Sequence, residues 1–171
     1  FGDARSTYFF DSYEFTRWFS DSLKWCYLFG DVTHVPPVPS IVKSRPIEGD
    51  IANSVLLNLD KVRHFTFIKD HIPFRKKMDK AIFRLSISEK PHRRRFVQMY
   101  FGHPMCDTGI ISPLPDDPPE WVKKKITLYD HLVYKFVVSL EGNDVATCLK
   151  WVMSTNSIAV MPRPTYETWF M

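Results

Sequence analysis

The segment from Tyr134 to Met161 constrains this chain more than any other, because it sets two short apolar runs on either side of a glycine turn and a helix-spaced stretch. Lys135 to Leu140 is dominated by Phe136, Val137, Val138 and Leu140, a run short enough for a strand buried on both faces. Glu141-Gly142-Asn143-Asp144 breaks it, since Gly142 can take a positive φ and Asn143 or Asp144 can cap a helix. Val145, Leu149, Val152 and Met153 then recur at helical spacing, and Ser157 to Met161 reads as a second buried strand closed by Pro162 and Pro164. Parallel strands joined by one helix need a right-handed crossover, which brings their carboxyl ends to a common edge, where open α/β sheets bind ligands. A helix N-terminus at that edge offers unpaired N–H groups and partial positive charge to a phosphate. An ordinary βαβ unit whose Gly142 only shapes a turn fits the same pattern.

The rest of the chain is consistent with an α/β fold. At 171 residues and 44% hydrophobic it can build one sizeable core. Tyr8, Phe9, Phe10, Tyr13, Phe15, Trp18 and Phe19, interleaved with acidic and basic residues, predict an amphipathic helix from about Ser12 to Ser22, capped by Asp11 or Ser12, its aromatic stripe assigned to the core. Leu23 to Phe29 is strand-like and ends at Gly30-Asp31, so Asp31 is either a turn residue or a carboxylate projecting from a strand's carboxyl end. Val35-Pro-Pro-Val-Pro39 is extended and reads as a linker between substructures. Asn53 to Leu59 and Ala81 to Ser88 are further short buried segments, Pro91 to about Tyr100 a helix, residues 104–120 an irregular proline-rich loop, and Thr127 to Leu132 a short helix.

Charge and cysteine usage exclude some chemistries. A net charge of +4 and a pI near 8.9 suit an anionic ligand or surface without choosing among them. Arg63, His64, Lys69, His71, Arg75, Lys76 and Lys77 alternate with aromatic residues, but no nucleic-acid-binding signature accompanies them, and nucleic acid ranks last among partners. Arg93, Arg94 and Arg95 oppose the dipole of the helix they open, which calls for an anion or a carboxylate partner. Three scattered cysteines argue against a disulfide framework, the six histidines lack metal-site spacing, and no GxSxG elbow is present. No apolar run reaches the roughly 18–20 residues of a membrane helix. Because it begins at Phe1 and ends on Trp169-Phe170-Met171, the chain is read as a piece of a longer protein.

Leu28-Phe-Gly-Asp31, Pro39 to Pro46, Lys77 to Arg84, Tyr134 through Gly142, Lys150, Ser154 to Ser157 and Tyr166 to Phe170 together resemble the CAP10-like glycosyltransferases, glycosyltransferase family 90, most of all their bacterial lipopolysaccharide-biosynthesis members of the LpsA type. The resemblance implies incomplete GT-B-like Rossmann-type lobes, with about residues 1–40 bearing the base and acceptor side and about 41–171 the donor side. It implies a nucleotide-sugar donor and no metal or other cofactor, a glycan or glycolipid acceptor of the lipopolysaccharide or capsule kind, and a cytoplasmic enzyme peripheral at the inner membrane. Asp31 matches the general base. Arg84, Ser86 and Arg94 match donor contacts in and after the aromatic-Arg-Gly-Ser motif, and Gly142, Asn143, Asp144, Lys150 and Glu167 fall on the donor turn, helix and ribose positions. The chain departs from the family pattern at Leu85, where glycine is usual, and at Cys148, where a polar residue is usual. A degenerate, non-catalytic copy serving as a binding module is the alternative reading.

Overall fold

A computed structural model describes residues 7–171. The chain forms two compact units, each with a parallel sheet, in a Rossmann-like α/β arrangement. Among the described residues the first comprises 7–67, Glu141–Lys150 and Arg163–Met171, the second Ile68–Leu140 and Trp151–Pro162. The division therefore does not fall at the proline segment 35–39, which lies inside the first unit.

In the first unit, helix α1 (Thr7–Thr16) precedes strands β1 (Tyr27–Leu28), β2 (Ser40–Val42), β3 (Ser44–Pro46) and β4 (Ser54–Leu56), and the short helix α2 (Lys61–His64). Strands β1, β2 and β4 form a parallel sheet in that order, with Tyr27, Ile41 and Val55 in register. α1 starts and stops about five residues earlier than the aromatic spacing predicts, and none of its residues is buried. The stripe stacks ring on ring instead of entering a core: Tyr8 lies 5.0 Å from Phe29, which lies 4.5 Å from Tyr27, while Phe10 and Tyr13 stay more than half exposed. Asp11 caps a different helix from the one expected, its carboxylate accepting the backbone N–H of Lys61 in the first turn of α2.

The second unit holds β5 (Met78–Leu85), α3 (Pro91–Tyr100), β6 (Cys106–Ile110), α4 (Leu128–His131), β7 (Tyr134–Val138) and β8 (Ile158–Val160), its four strands parallel in the order β6-β5-β7-β8. α3 occupies the predicted span with Pro91 at its start, where a missing N–H costs nothing. α4 is closed by a capping box between Thr127 and Asp130. The proline-rich stretch is not wholly irregular, because Cys106–Ile110 forms an edge strand against β5, its Thr108, Gly109 and Ile110 buried. Phe83, Ile87, Val97, Ile110, Trp121, Val138 and Leu140 form the core, against which Leu85 packs.

The βαβ unit is present, but its second strand is exposed at Ile158 and Val160 where a buried strand is expected. β7 and β8 are parallel, and α5 (Thr147–Met153) lies between them, starting three residues later than the expected cap because Glu141–Ala146 forms a separate turn. Within that turn the Gly142 N–H donates to the Asp144 carbonyl at 3.0 Å. Val145, Leu149 and Val152 are buried as the spacing predicts, but Met153 is exposed. No helix of the described residues is long and apolar enough to cross a membrane.

Phe83 is 1% exposed at the centre of the second unit's core. Phe83→Ala should cost about 3–5 kcal/mol in denaturant unfolding; a loss under about 1 kcal/mol would show that this cluster does not carry the unit.

Candidate functional site

The first unit gathers a charged cluster at the carboxyl end of β1. Gly30 sits at φ +99°, a conformation that side-chain-bearing residues rarely adopt, and turns the chain so that Asp31 leaves the strand end. The Asp31 carboxylate accepts from Lys43 Nζ through Oδ1 at 2.5 Å and from Asn143 Nδ2 through Oδ2 at 3.1 Å. Lys43, 3% exposed, also reaches Asp144 Oδ2 at 2.9 Å, and Asp144 accepts the Ser44 hydroxyl at 2.6 Å. Arg63 Nη2 stands 3.7 Å from Asp31 but is chiefly paired with Asp60, the residue in left-handed conformation that precedes α2.

Three carboxylates thus share this neighbourhood, and their exposure separates them: the side chains of Asp144 and Asp60 are 6% and 5% exposed, that of Asp31 25%. Asp31 is the one that an incoming molecule can touch. Burial would push its carboxyl up, but the Lys43 ammonium, the Asn143 amide and the more distant Arg63 outweigh that and hold it below the usual carboxylate range. Lys43 is raised in turn, its two carboxylates overcoming the cost of burial, so the pair is ionised throughout the neutral range. Such a carboxylate can accept a proton from a hydroxyl placed within hydrogen-bond reach.

Glu167 and Lys150, two further sequence candidates of this unit, have partners outside the Asp31 cluster. Glu167 stands in β9 (Tyr166–Thr168), paired across the antiparallel ladder with Arg45 of β3, whose Nε donates to it at 2.7 Å. Lys150 projects from α5 into an aromatic box, its Nζ 3.9 Å from the centres of Phe65 and Trp169 and 5.2 and 5.5 Å from those of Phe67 and Phe170. That ammonium is buried with no hydrogen-bond partner. Burial pulls it down to about 8, while the ring faces attract the charged form. Cys148, two residues earlier, is buried in the same helix.

Arg84, Ser86 and Arg94 belong to the second unit. Because β6 and β7 flank β5 on opposite sides, the connections leave β5 and β7 in opposite directions, and a switch point opens beyond the carboxyl ends of those strands. Ser86 follows β5 there. Arg93, from the first turn of α3, spans the point, donating to the Ser86 carbonyl at 2.9 Å and the Leu140 carbonyl at 2.8 Å. Arg94 pairs with the buried Asp117, so the arginine-rich helix start found its carboxylate within the chain. Arg84 is 8% exposed and bonds Asp107 at 2.7 Å, with its Nε and Nη1 unpartnered. Gly109 makes room for it, since an added Cβ would overlap Nη1. Asp107 also takes Tyr134 Oη at 2.6 Å and Lys123 Nζ at 3.0 Å, while burial and that carboxylate push the Tyr134 phenol up to about 12.

Sequence reasoning met Lys43 only within the run Pro39 to Pro46 and Arg93 only as one of three arginines at a helix start, without assigning either a site role. Both stand next to flagged residues, yet only the fold shows what their side chains meet.

The folded-state depression of Lys150, from 10.5 to about 8, means that the unfolded chain binds the extra proton between those values, so stability contributed by the neutral amine grows as pH rises through that window. Relative to Lys150→Met, the natural chain should therefore gain thermal stability from pH 8 to 10.5; parallel profiles would show that the ring faces fully offset burial.

No family model matches the chain. It is 42% identical over 166 residues, 97% of its length, to the O-glucosyltransferase LpsA of Dichelobacter nodosus, and it spans about half (52%) of that protein.

Proposed function

We propose that the protein is a glycosyltransferase that moves a sugar from a nucleoside-diphosphate donor to a hydroxyl of a lipopolysaccharide or capsular glycan, with Asp31 as general base. The reading rests on one observation above the others: Asp31 is a partly open carboxylate whose ionisation is secured by a buried ammonium. The name of the similar Dichelobacter nodosus protein suggests glucose as the transferred sugar.

In this reading the acceptor oxygen attacks the anomeric carbon while its proton passes to Asp31. The bond from that carbon to the diphosphate breaks, and the electron pair leaves with the phosphate. The departing charge calls for cations and helix N–H groups. In the first unit the Gly142 turn, with Glu167 at the ribose, is the proposed donor contact; Arg84, Ser86 and Arg94 of the second unit are donor contacts by the resemblance alone, since Asp107 and Asp117 already pair with the two arginines. Lys150 would act through the rings that it gathers, because its ammonium is enclosed by them. The CAP10-like, GT-B assignment, metal-independent transfer and a cytoplasmic site peripheral at the inner membrane, where glycolipid acceptors are anchored, complete the proposal.

Transfer of labelled glucose from UDP-glucose to core-truncated lipopolysaccharide tests it. Asp31→Asn should lower kcat/KM by about 10²–10⁴-fold, with UDP binding unchanged in calorimetry; a variant that transfers at the natural rate overturns the base assignment.

A further inference from the structure

We infer that Lys43 is the positioning residue of the Asp31 site: clamped between Asp31 and Asp144, it aims the Asp31 carboxylate and keeps it ionised, while Asp144 holds Lys43. The inference rests on the reading of Asp31 as the base, and it removes the side chains of Asn143 and Asp144 from the donor's surroundings.

The backbone leaves Lys43 no freedom. It is the single residue between β2 and β3, where the chain passes from the parallel sheet to the antiparallel ladder. Before it, Val42 is in register with Leu28 and Leu56; after it, Ser44 is in register with Thr168, and the Lys43 carbonyl accepts the Thr168 hydroxyl at 2.8 Å. The same stretch that pins Lys43 also pins Leu28, three residues before Asp31, so base and ammonium are held to a common frame.

The ammonium has three N–H donors and directs them at two carboxylates. Each carboxylate has a second tie that fixes its orientation: Asn143 on Asp31 and the Ser44 hydroxyl on Asp144. Asn143 and Asp144 are adjacent, so one turn serves both the base and its cation. Of the other charged or titratable groups facing the cluster, Arg63 is half exposed and committed to Asp60, which also takes the Tyr8 hydroxyl, and the buried His64 is held below its usual range by burial and by Lys43. None of these replaces Lys43 at 2.5 Å from Asp31. A buried carboxylate such as Asp144 would repel a diphosphate, whereas it fits the role of orienting an ammonium.

The arrangement predicts shifts of opposite sign. Removing the ammonium leaves two carboxylates facing each other and raises the Asp31 midpoint. Removing Asp144 gives Asp31 sole use of the ammonium and lowers it. Carbon-13 titration of the Asp31 carboxyl should show Lys43→Met raising the midpoint by at least about one unit, a tenfold change in proton affinity, Asp144→Asn lowering it, and Lys43→Arg restoring most of the natural value. In the glucose-transfer assay Lys43→Met should lose kcat with little change in donor KM. An Asp31 midpoint that Lys43→Met leaves in place, or that Asp144→Asn raises, overturns the inference. If Lys43→Met does not fold, the near-isosteric Asp144→Asn decides the matter by its sign. Shifts as expected alongside an active Asp31→Asn would leave the Lys43 couple standing and overturn the base assignment alone.

Discussion

The first unit is organised around a buried ammonium. Lys43 sits where two strands of different sheets meet end to end, and its charge binds the loop after β1 to the turn before α5, segments more than a hundred residues apart in sequence. Removing one partner of a buried ion pair costs about 3–5 kcal/mol where the charge left behind has neither water nor a counterion; here that applies most to Asp144, whose side chain is 6% exposed. That cost constrains neighbouring residues. Asn143 has to face Asp31, Ser44 has to face Asp144, and the Gly142 turn takes the shape that lets both happen. The same geometry leaves one carboxylate of the group, Asp31, partly open to solvent.

The second unit meets a related problem with different residues. Its sheet opens a switch point beyond β5 and β7, where strand carbonyls would lack partners. Arg93 bonds the Ser86 and Leu140 carbonyls across it, holding the loop that bears the Ser86 side chain. Leu85, which departs from the glycine of the resembled motif, packs against the core, and Arg84 finds space above Gly109 instead. The Leu85 side chain is thus directed toward the core.

The elements legible in the sequence are those whose signals are local. Pro91 marks the start of α3, the β-branched run before Gly142 marks β7, and Gly30 marks the turn that exposes Asp31. The elements that the sequence misplaces depend on distant partners. β6, Cys-Asp-Thr-Gly-Ile, has little apolar alternation and forms because β5 supplies a pairing edge. The aromatic residues of α1 have the spacing of a core face, but the rings of Tyr27 and Phe29 offer stacking rather than enclosure. Lys43 is hidden for the same reason, because a lysine beside a strand reads as a solvated end until the fold brings Asp144 against it. The resemblance to glycosyltransferases pointed to Asp31, while the group that controls Asp31 required the fold.

The most direct test of this account is the pH dependence of kcat/KM for glucose transfer, which reports the ionisation of the free enzyme's base. With Asp31 held below the ordinary carboxylate range by Lys43, Asn143 and Arg63, the profile should be flat on its acid side down to about pH 5. An acid limb with its midpoint near 6 or above would show a base other than an ammonium-clamped Asp31, and would contradict the account.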